Sequence, residues 1–404
     1  MAQLRVATKI ESGIESRAIF SDQTFLFGPG AATARLAEEL DERGWRRVIV
    51  LAGASAARIG LLDRLKEALG QGKVLSVHIV AGAHSPIERT EALAAELRDI
   101  VTAHGGCDAL IALGGGKVID SAKGVSVLLG EGGRLEDHTG TFEPPGRFVH
   151  PVLNAPKLPI VMVPTTLSGA EVTPGGGATN AAGRKRIFWD RKIAGRLLCY
   201  DPSFISCVPT DVLTTTGMNA LAHCAEGLYS RTANPVSTAM ALEATRQLAG
   251  GLRAIMSGKI LEATYTDLGA GAAMAALVIC NARSGLHHAI CHFLGGRFHV
   301  PHGVANAIML PHVLRFNLPV TEEPQRRFAE AVNASALGAV STAAEAVTVL
   351  QQDLQVPTRL RDVGVPQSRL DEVAEAAMLD PGRFYNPRPV EQPQTIRDIL
   401  DQAW

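Results

Sequence analysis

The 404-residue chain has few cysteines, no surplus of charge and no long apolar run, and each shortage removes a class of function. Its six cysteines (Cys107, Cys199, Cys207, Cys224, Cys280, Cys291) stand singly, without a CxxC pair. That spacing excludes a disulfide framework and predicts reduced thiols, as in the cytoplasm. Lys and Arg total 39 against 40 Asp and Glu, which leaves nothing to hold a polyanion, so nucleic acid and anionic membranes are not expected partners. The N-terminal residues lack the apolar core of a signal peptide, and no uninterrupted apolar stretch is long enough to span a membrane.

What is present is enzyme-like. Hydrophobic residues make up 46% of the chain, and its 40 Gly and 22 Pro are scattered rather than clustered, so a globular protein is expected. The length predicts two domains. In the first half, strand-length apolar runs at 47–52, 74–80, 109–113 and 158–163 alternate with helical patterns such as 56–69 and 87–101. This predicts an α/β domain with a mostly parallel sheet, Rossmann-like in kind. After about residue 205 the texture becomes Ala- and Leu-rich, as at 240–255 and 268–279, and predicts an all-α domain. The boundary is set at 1–205 and 206–404, with the Pro- and Ser-rich stretch 201–209 as a hinge. Residues 131–157, rich in Gly and Pro, read as an irregular excursion.

Two constellations carry chemistry. The run 109–123 reads as strand, glycine turn, helix, and Gly114, Gly115 and Gly116 let a pyrophosphate approach backbone N–H groups at the positive helix end. Lys117 adds charge there. The competing reading is a glycine-rich βα turn without a ligand, because this is not the spaced GxGxxG fingerprint. Gly53 ends an earlier strand where a carboxylate would discriminate against a 2′-phosphate, and Arg58 lies just beyond. Thr165, Thr166 and Ser168 follow a further strand, at the sheet edge where α/β folds bind ligands.

The second constellation is histidine. Seven of the twelve histidines fall between 223 and 312. Asn219 and His223 are spaced i, i+4, as are His288 and His292, so each pair shares a helix face, and His302 follows in a turn. Such a set suits a divalent-metal or proton-relay site, although each histidine alone is as readily structural. No carboxylate stands among them in sequence, and the amide at 219 predicts weak metal binding. Cys291, beside these histidines, reads mainly as packing filler and secondarily as an activated thiol.

The segment 114–123 (GGGKVIDSAK) resembles the GGGSxxDxAK motif of iron-containing alcohol dehydrogenases, with Lys117 where Ser is usual, and 217–223, 288–296 and 301–307 are similar to that family's metal-site segments. The resemblance covers nearly the whole chain from about residue 20. It implies the two-domain fold shared with dehydroquinate synthase-like enzymes, a nicotinamide cofactor (NADH or NADPH) held by residues including Gly53, Gly114–Lys117, Asp120, Thr165, Thr166 and Ser168, and Fe or Zn ligands at 219 (normally Asp), 223, 288 and 302. Position 292 then lies near the nicotinamide. The stretch 165–173, Asn219, the His287-His288 doublet and 386–390 (NPRPV) are similar to the maleylacetate reductase subfamily. The excursion at 131–157 and the overall length depart from it. That likeness implies reduction of maleylacetate to 3-oxoadipate in aromatic-compound degradation, a small anionic substrate and a homodimer. His292, or His287 beside it, is then the candidate proton donor, with His223, His288 and His302 around the substrate oxygen. The alternatives are a metal-dependent dehydrogenase of another small alcohol, aldehyde or ketone, a dehydroquinate synthase-like lyase, and a silent ligand-binding relative.

With glycine at 53, no carboxylate opposes a 2′-phosphate. The kcat/KM values for NADH and NADPH are therefore expected to differ by less than roughly a thousandfold, about 4 kcal/mol. A wider ratio in steady-state kinetics would place the discriminating group elsewhere.

Overall fold

The computed structural model describes residues 17–82, 86–143, 147–181, 183, 185–334 and 342–404. Six strands form one parallel sheet: β1 (Thr24–Phe27), β2 (Val48–Gly53), β3 (Val74–Val80), β4 (Ala109–Gly114), β7 (Ile160–Pro164) and β10 (Leu197–Tyr200). Their order is β1-β10-β7-β4-β2-β3. Two antiparallel hairpins stand outside it, β5 (Thr141–Glu143) with β6 (Arg147–Val149), and β8 (Gly175–Thr179) with β9 (Lys185–Trp189). Strands β2, β4 and β7 read as unbroken apolar runs because both sheet faces are covered, leaving Val48–Ala52, Ala109–Leu113 and Ile160–Val163 buried. The four predicted runs are all strands. The short β1 and β10 have no comparable run and were not legible.

The chain leaves β2 toward β3 and returns past β2 to β4, so the carboxyl ends of β2 and β4 flank the point where the strand order reverses. Gly53 and Gly114 end these strands. Gly114 has φ +152°, and a Cβ there would stand 2.7 Å from Val118 Cγ2, so the turn admits only glycine. The following helix, Gly116–Glu131, lies under the turn. Its Lys123 is fully buried, and Nζ donates to the carbonyls of Ala170 (2.6 Å), Thr173 (2.6 Å) and Gly175 (2.7 Å). Burial presses this ammonium down to about 8. Lys123 thus pins the chain between β7 and β8 onto the glycine-loop helix.

The predicted helix at 56–69 is two, Ala54–Arg58 and Leu61–Leu69, because Gly60 at φ +81° breaks it. The stretch 201–209 is a packed joint rather than an open hinge. Asp201 is fully buried, caps the helix Pro202–Ile205 through Ser203 N–H (2.9 Å), and accepts Ala32 N–H (3.1 Å). The excursion after residue 131 is tied to the sheet domain at its described residues: Leu135 and Leu153 are buried, and Lys157 pairs with Glu131 at 2.7 Å.

From Thr210 onward every regular element among the described residues is helical. The helix Thr264–Ala282 is long and apolar enough on average to cross a bilayer, although Asp267 and Asn281 bound its uninterrupted apolar run at 268–280. Here it packs against Thr210–Tyr229 and Pro235–Met256, with Leu268, Ala272, Ala275 and Val278 in the helical core.

Lys123→Met removes the donor from three half-buried carbonyls. It is expected to destabilise the protein by about 3 kcal/mol, read as a lower urea midpoint. An unchanged midpoint would mean that the chain between β7 and β8 holds without this anchor.

Candidate active site

The glycine turn meets the loop that follows β7. A Cβ at Gly115 would lie 2.9 Å from Thr166 Cγ2, and one at Gly116 would lie 3.3 Å from Ser168 Oγ. The glycines therefore serve close packing of two loops as well as open backbone at the helix start. Thr165 N–H donates to Gly114 O at 3.1 Å, and Leu167 N–H to Thr216 Oγ1 at 3.2 Å. One loop thus touches the glycine turn on one side and the helix Thr210–Tyr229 on the other. Lys117 does not reach over the turn, because its ammonium donates to the Gly82 carbonyl. Asp120 faces the β8–β9 hairpin at Gly177 and Lys185 rather than the turn. Gly53 packs on Val118, 3.2 Å from where its Cβ would be.

The helix Thr210–Tyr229 presents Asn219 and His223, the helix Leu286–Phe298 presents His288 and His292, and His302 opens the helix His302–Asn317. Their rings gather: His223 stacks on His288 at 4.7 Å between centroids, His302 lies 5.8 Å from His288, and His292 stacks on His302 at 5.8 Å. Asn219, His223 and His288 are buried, His292 is half-buried and His302 exposed, so the cluster is deep at one end and open at the other. Burial, reinforced by neighbouring histidines, holds His223 well below its ordinary value and His288 down to about 3, which makes both rings neutral.

Asn219 Nδ2 donates to the Ser168 carbonyl at 3.3 Å, which turns Oδ1 the other way. Asn219 Oδ1, His223 Nδ1 and His288 Nε2 are all buried with no hydrogen-bond partner. An amide oxygen and bare imidazole nitrogens, all uncharged, fit a divalent ion, which Asn219, His223, His288 and His302 would hold.

Carboxylates do attend this cluster, one layer behind the histidines, where the sequence reading found none. Buried Glu226, three residues after His223, accepts from His288 Nδ1 at 2.5 Å. Its spacing made it findable, since i+3 shares the helix face of His223. Asp380 lies 2.9 Å from His292 Nδ1, and nothing local in the sequence links residues 88 apart. Burial works to raise the Asp380 carboxyl, but His292 and the Gly382 N–H outweigh it and hold it below its usual range. Lys185, on β9, is the third residue that sequence reasoning missed, and its charge acts on His302 and His288 from the hairpin side.

His287 does not join the site. It is fully buried, with Nε2 on the Asn306 carbonyl (3.1 Å) and Nδ1 toward His288 Nδ1 (3.4 Å), so it has no free nitrogen for a substrate. Cys291 is buried too, and burial pushes its thiol well up, which makes it packing. All six cysteines are unpaired with one another.

Comparison with known proteins identifies the family. The iron-containing alcohol dehydrogenase model matches residues 22–202, and the C-terminal model of the Fe-containing alcohol dehydrogenase family matches 213–404. Maleylacetate reductase 1 of Rhodococcus opacus is 31% identical over 381 residues, 94% of this chain and 93% of that one. The 1,3-propanediol dehydrogenase of Klebsiella pneumoniae is 35% identical over 306 residues, 74% of this chain and 76% of that one. The structure of maleylacetate reductase from Agrobacterium tumefaciens superposes with a TM-score of 0.79 at 26% identity, covering 97% of this chain and 98% of that one. The chain belongs to the iron-containing alcohol dehydrogenase family and is an NAD(P)-dependent oxidoreductase.

Proposed function

We propose that the chain reduces a carbon–carbon double bond conjugated with a ketone in a small dicarboxylate, as a maleylacetate reductase does, in the cytoplasm and as a homodimer. The observation that carries this is Asn219, whose side chain is fitted to its loop as an amide. Its Nδ2 gives the Ser168 carbonyl a donor at 3.3 Å, which a carboxylate has none of. The deep end of the cluster is therefore uncharged, and the nearby cation is Lys185, so a substrate bearing two carboxylates meets no like charge in the directly facing side chains. The full-length match to maleylacetate reductases supports the same reading.

When bound, the reduced nicotinamide supplies the hydride, and a divalent ion supplies charge at the substrate oxygen. The protein's own part is positional. The helix start at Gly116 offers backbone N–H groups to the pyrophosphate, and the Thr165–Ser168 loop sets the distance from there to Asn219. Neutral His223 and His288 turn lone pairs inward and would hold that ion beside the oxygen that becomes an enolate, where a fixed positive charge stabilises the developing negative one. His292, half-buried and held at Nδ1 by Asp380, keeps Nε2 for the proton that completes reduction.

A screen of NADH oxidation against maleylacetate, simple aldehydes and ketones, with and without zinc or iron, tests the substrate class. Turnover of maleylacetate far above the others is expected, and activity confined to aldehydes or alcohols would overturn the reading. Asn219→Asp should retain more metal on dialysis yet raise the dicarboxylate KM about tenfold, about 1.4 kcal/mol of added repulsion. An unchanged KM would place the substrate away from residue 219. Asp380→Asn keeps the acceptor for Gly382 N–H (2.7 Å) but loses the charge behind His292. Its kcat should fall about a hundredfold with NADH affinity unaltered. A wild-type kcat would remove His292 from the proton path.

A further inference from the structure

Glu226 has more partners than a packing role needs. Its Oε2 takes His288 Nδ1–H at 2.5 Å and its Oε1 takes the backbone N–H of His287 at 2.9 Å. The helix Leu286–Phe298 starts at Gly285, which has no side chain to cap it, and the carboxylate caps it from another helix. The approach needs glycine: a Cβ at Gly285 would stand 3.0 Å from Glu226 Oε1 and 3.2 Å from Asn386 Oδ1. Asn386, in the NPRPV segment, closes the other side through a reciprocal amide pair with Asn317 (2.8 and 2.9 Å). So Asn219, His223 and Glu226, on the helix Thr210–Tyr229, are held in register with His288 on the helix Leu286–Phe298.

From this geometry we propose that Glu226 is a positioning residue that supplies, behind His288, the negative charge that position 219 lacks. With Nδ1–H committed to the carboxylate, His288 is fixed in the tautomer whose Nε2 lone pair faces the cluster, and Nε2 is buried there without a partner. The carboxylate polarises the ring and raises its donor strength toward a cation. Its charge compensates the ion without standing in the substrate's space, so this cluster holds a divalent ion and still admits a dianion. The inference rests on reading the cluster as a cation site and is independent of the substrate's identity.

The test is Co(II) binding to the full-length protein, followed by its visible absorption without substrate, so that its failure is distinct from failure of the substrate screen. Glu226→Gln keeps the shape and removes the charge, and Co(II) should bind roughly 10- to 100-fold more weakly, while NADH binding by fluorescence stays unchanged. Glu226→Asp should recover part of the loss, which a space-filling role would not produce. In an Asn219→Asp background the same Glu226→Gln change should cost less, because a charge then stands at the front. If Glu226→Gln does not fold, Gly285→Ala carries the same expectation, since its methyl displaces the carboxylate. Wild-type Co(II) affinity in the folded variant overturns the proposal, as does an equal loss in both backgrounds.

Discussion

Ser168 stands where the two halves of the molecule are measured against each other. Its hydroxyl occupies space left by Gly116, 3.3 Å from where a Cβ would be, and its carbonyl accepts the Asn219 amide at 3.3 Å. The glycine turn and the histidine cluster therefore share one short loop as their spacer. Behind it, Lys123 holds the chain at 170–175 to the same helix that starts at Gly116. Hydride transfer tolerates little error in the distance between donor and acceptor carbons. Here the spacing between the glycine turn and the histidine cluster runs through this packed loop.

His223 and His288 work as neutral groups because burial and the neighbouring histidines disfavour their charged forms. Charge is placed one layer out. Glu226 stands behind His288 and Asp380 behind His292, and each carboxylate also receives a backbone N–H at a helix or turn start. The same device has two consequences. At His288 it aims a lone pair inward at the deep end, and at His292 it holds a ring at the open end.

Much of this was legible in the sequence. Long buried strands such as 109–114 show as apolar runs, and the glycine triplet and the 219/223 and 288/292 spacings mark which faces carry chemistry. Local pattern could not show Asp380, which reaches His292 only through tertiary packing. Nor could it show the direction of Lys117, drawn to the Gly82 carbonyl, or that of Asp120, drawn to a hairpin whose strands have no long apolar run. His287 shows the limit most plainly. Adjacent residues on a helix point about 100° apart, so the doublet delivers one ring to the cluster and buries the other against Asn306.

The central claim is conjugate reduction at a cluster whose inward-facing side chains are neutral, and the fate of the transferred hydrogen tests it most directly. With NADH deuterated at the transferring position of C4 and maleylacetate as acceptor, the product should keep its ketone and carry deuterium on the carbon β to it. Deuterium on a carbinol carbon, with the double bond intact, would contradict the account and assign this cluster to carbonyl reduction.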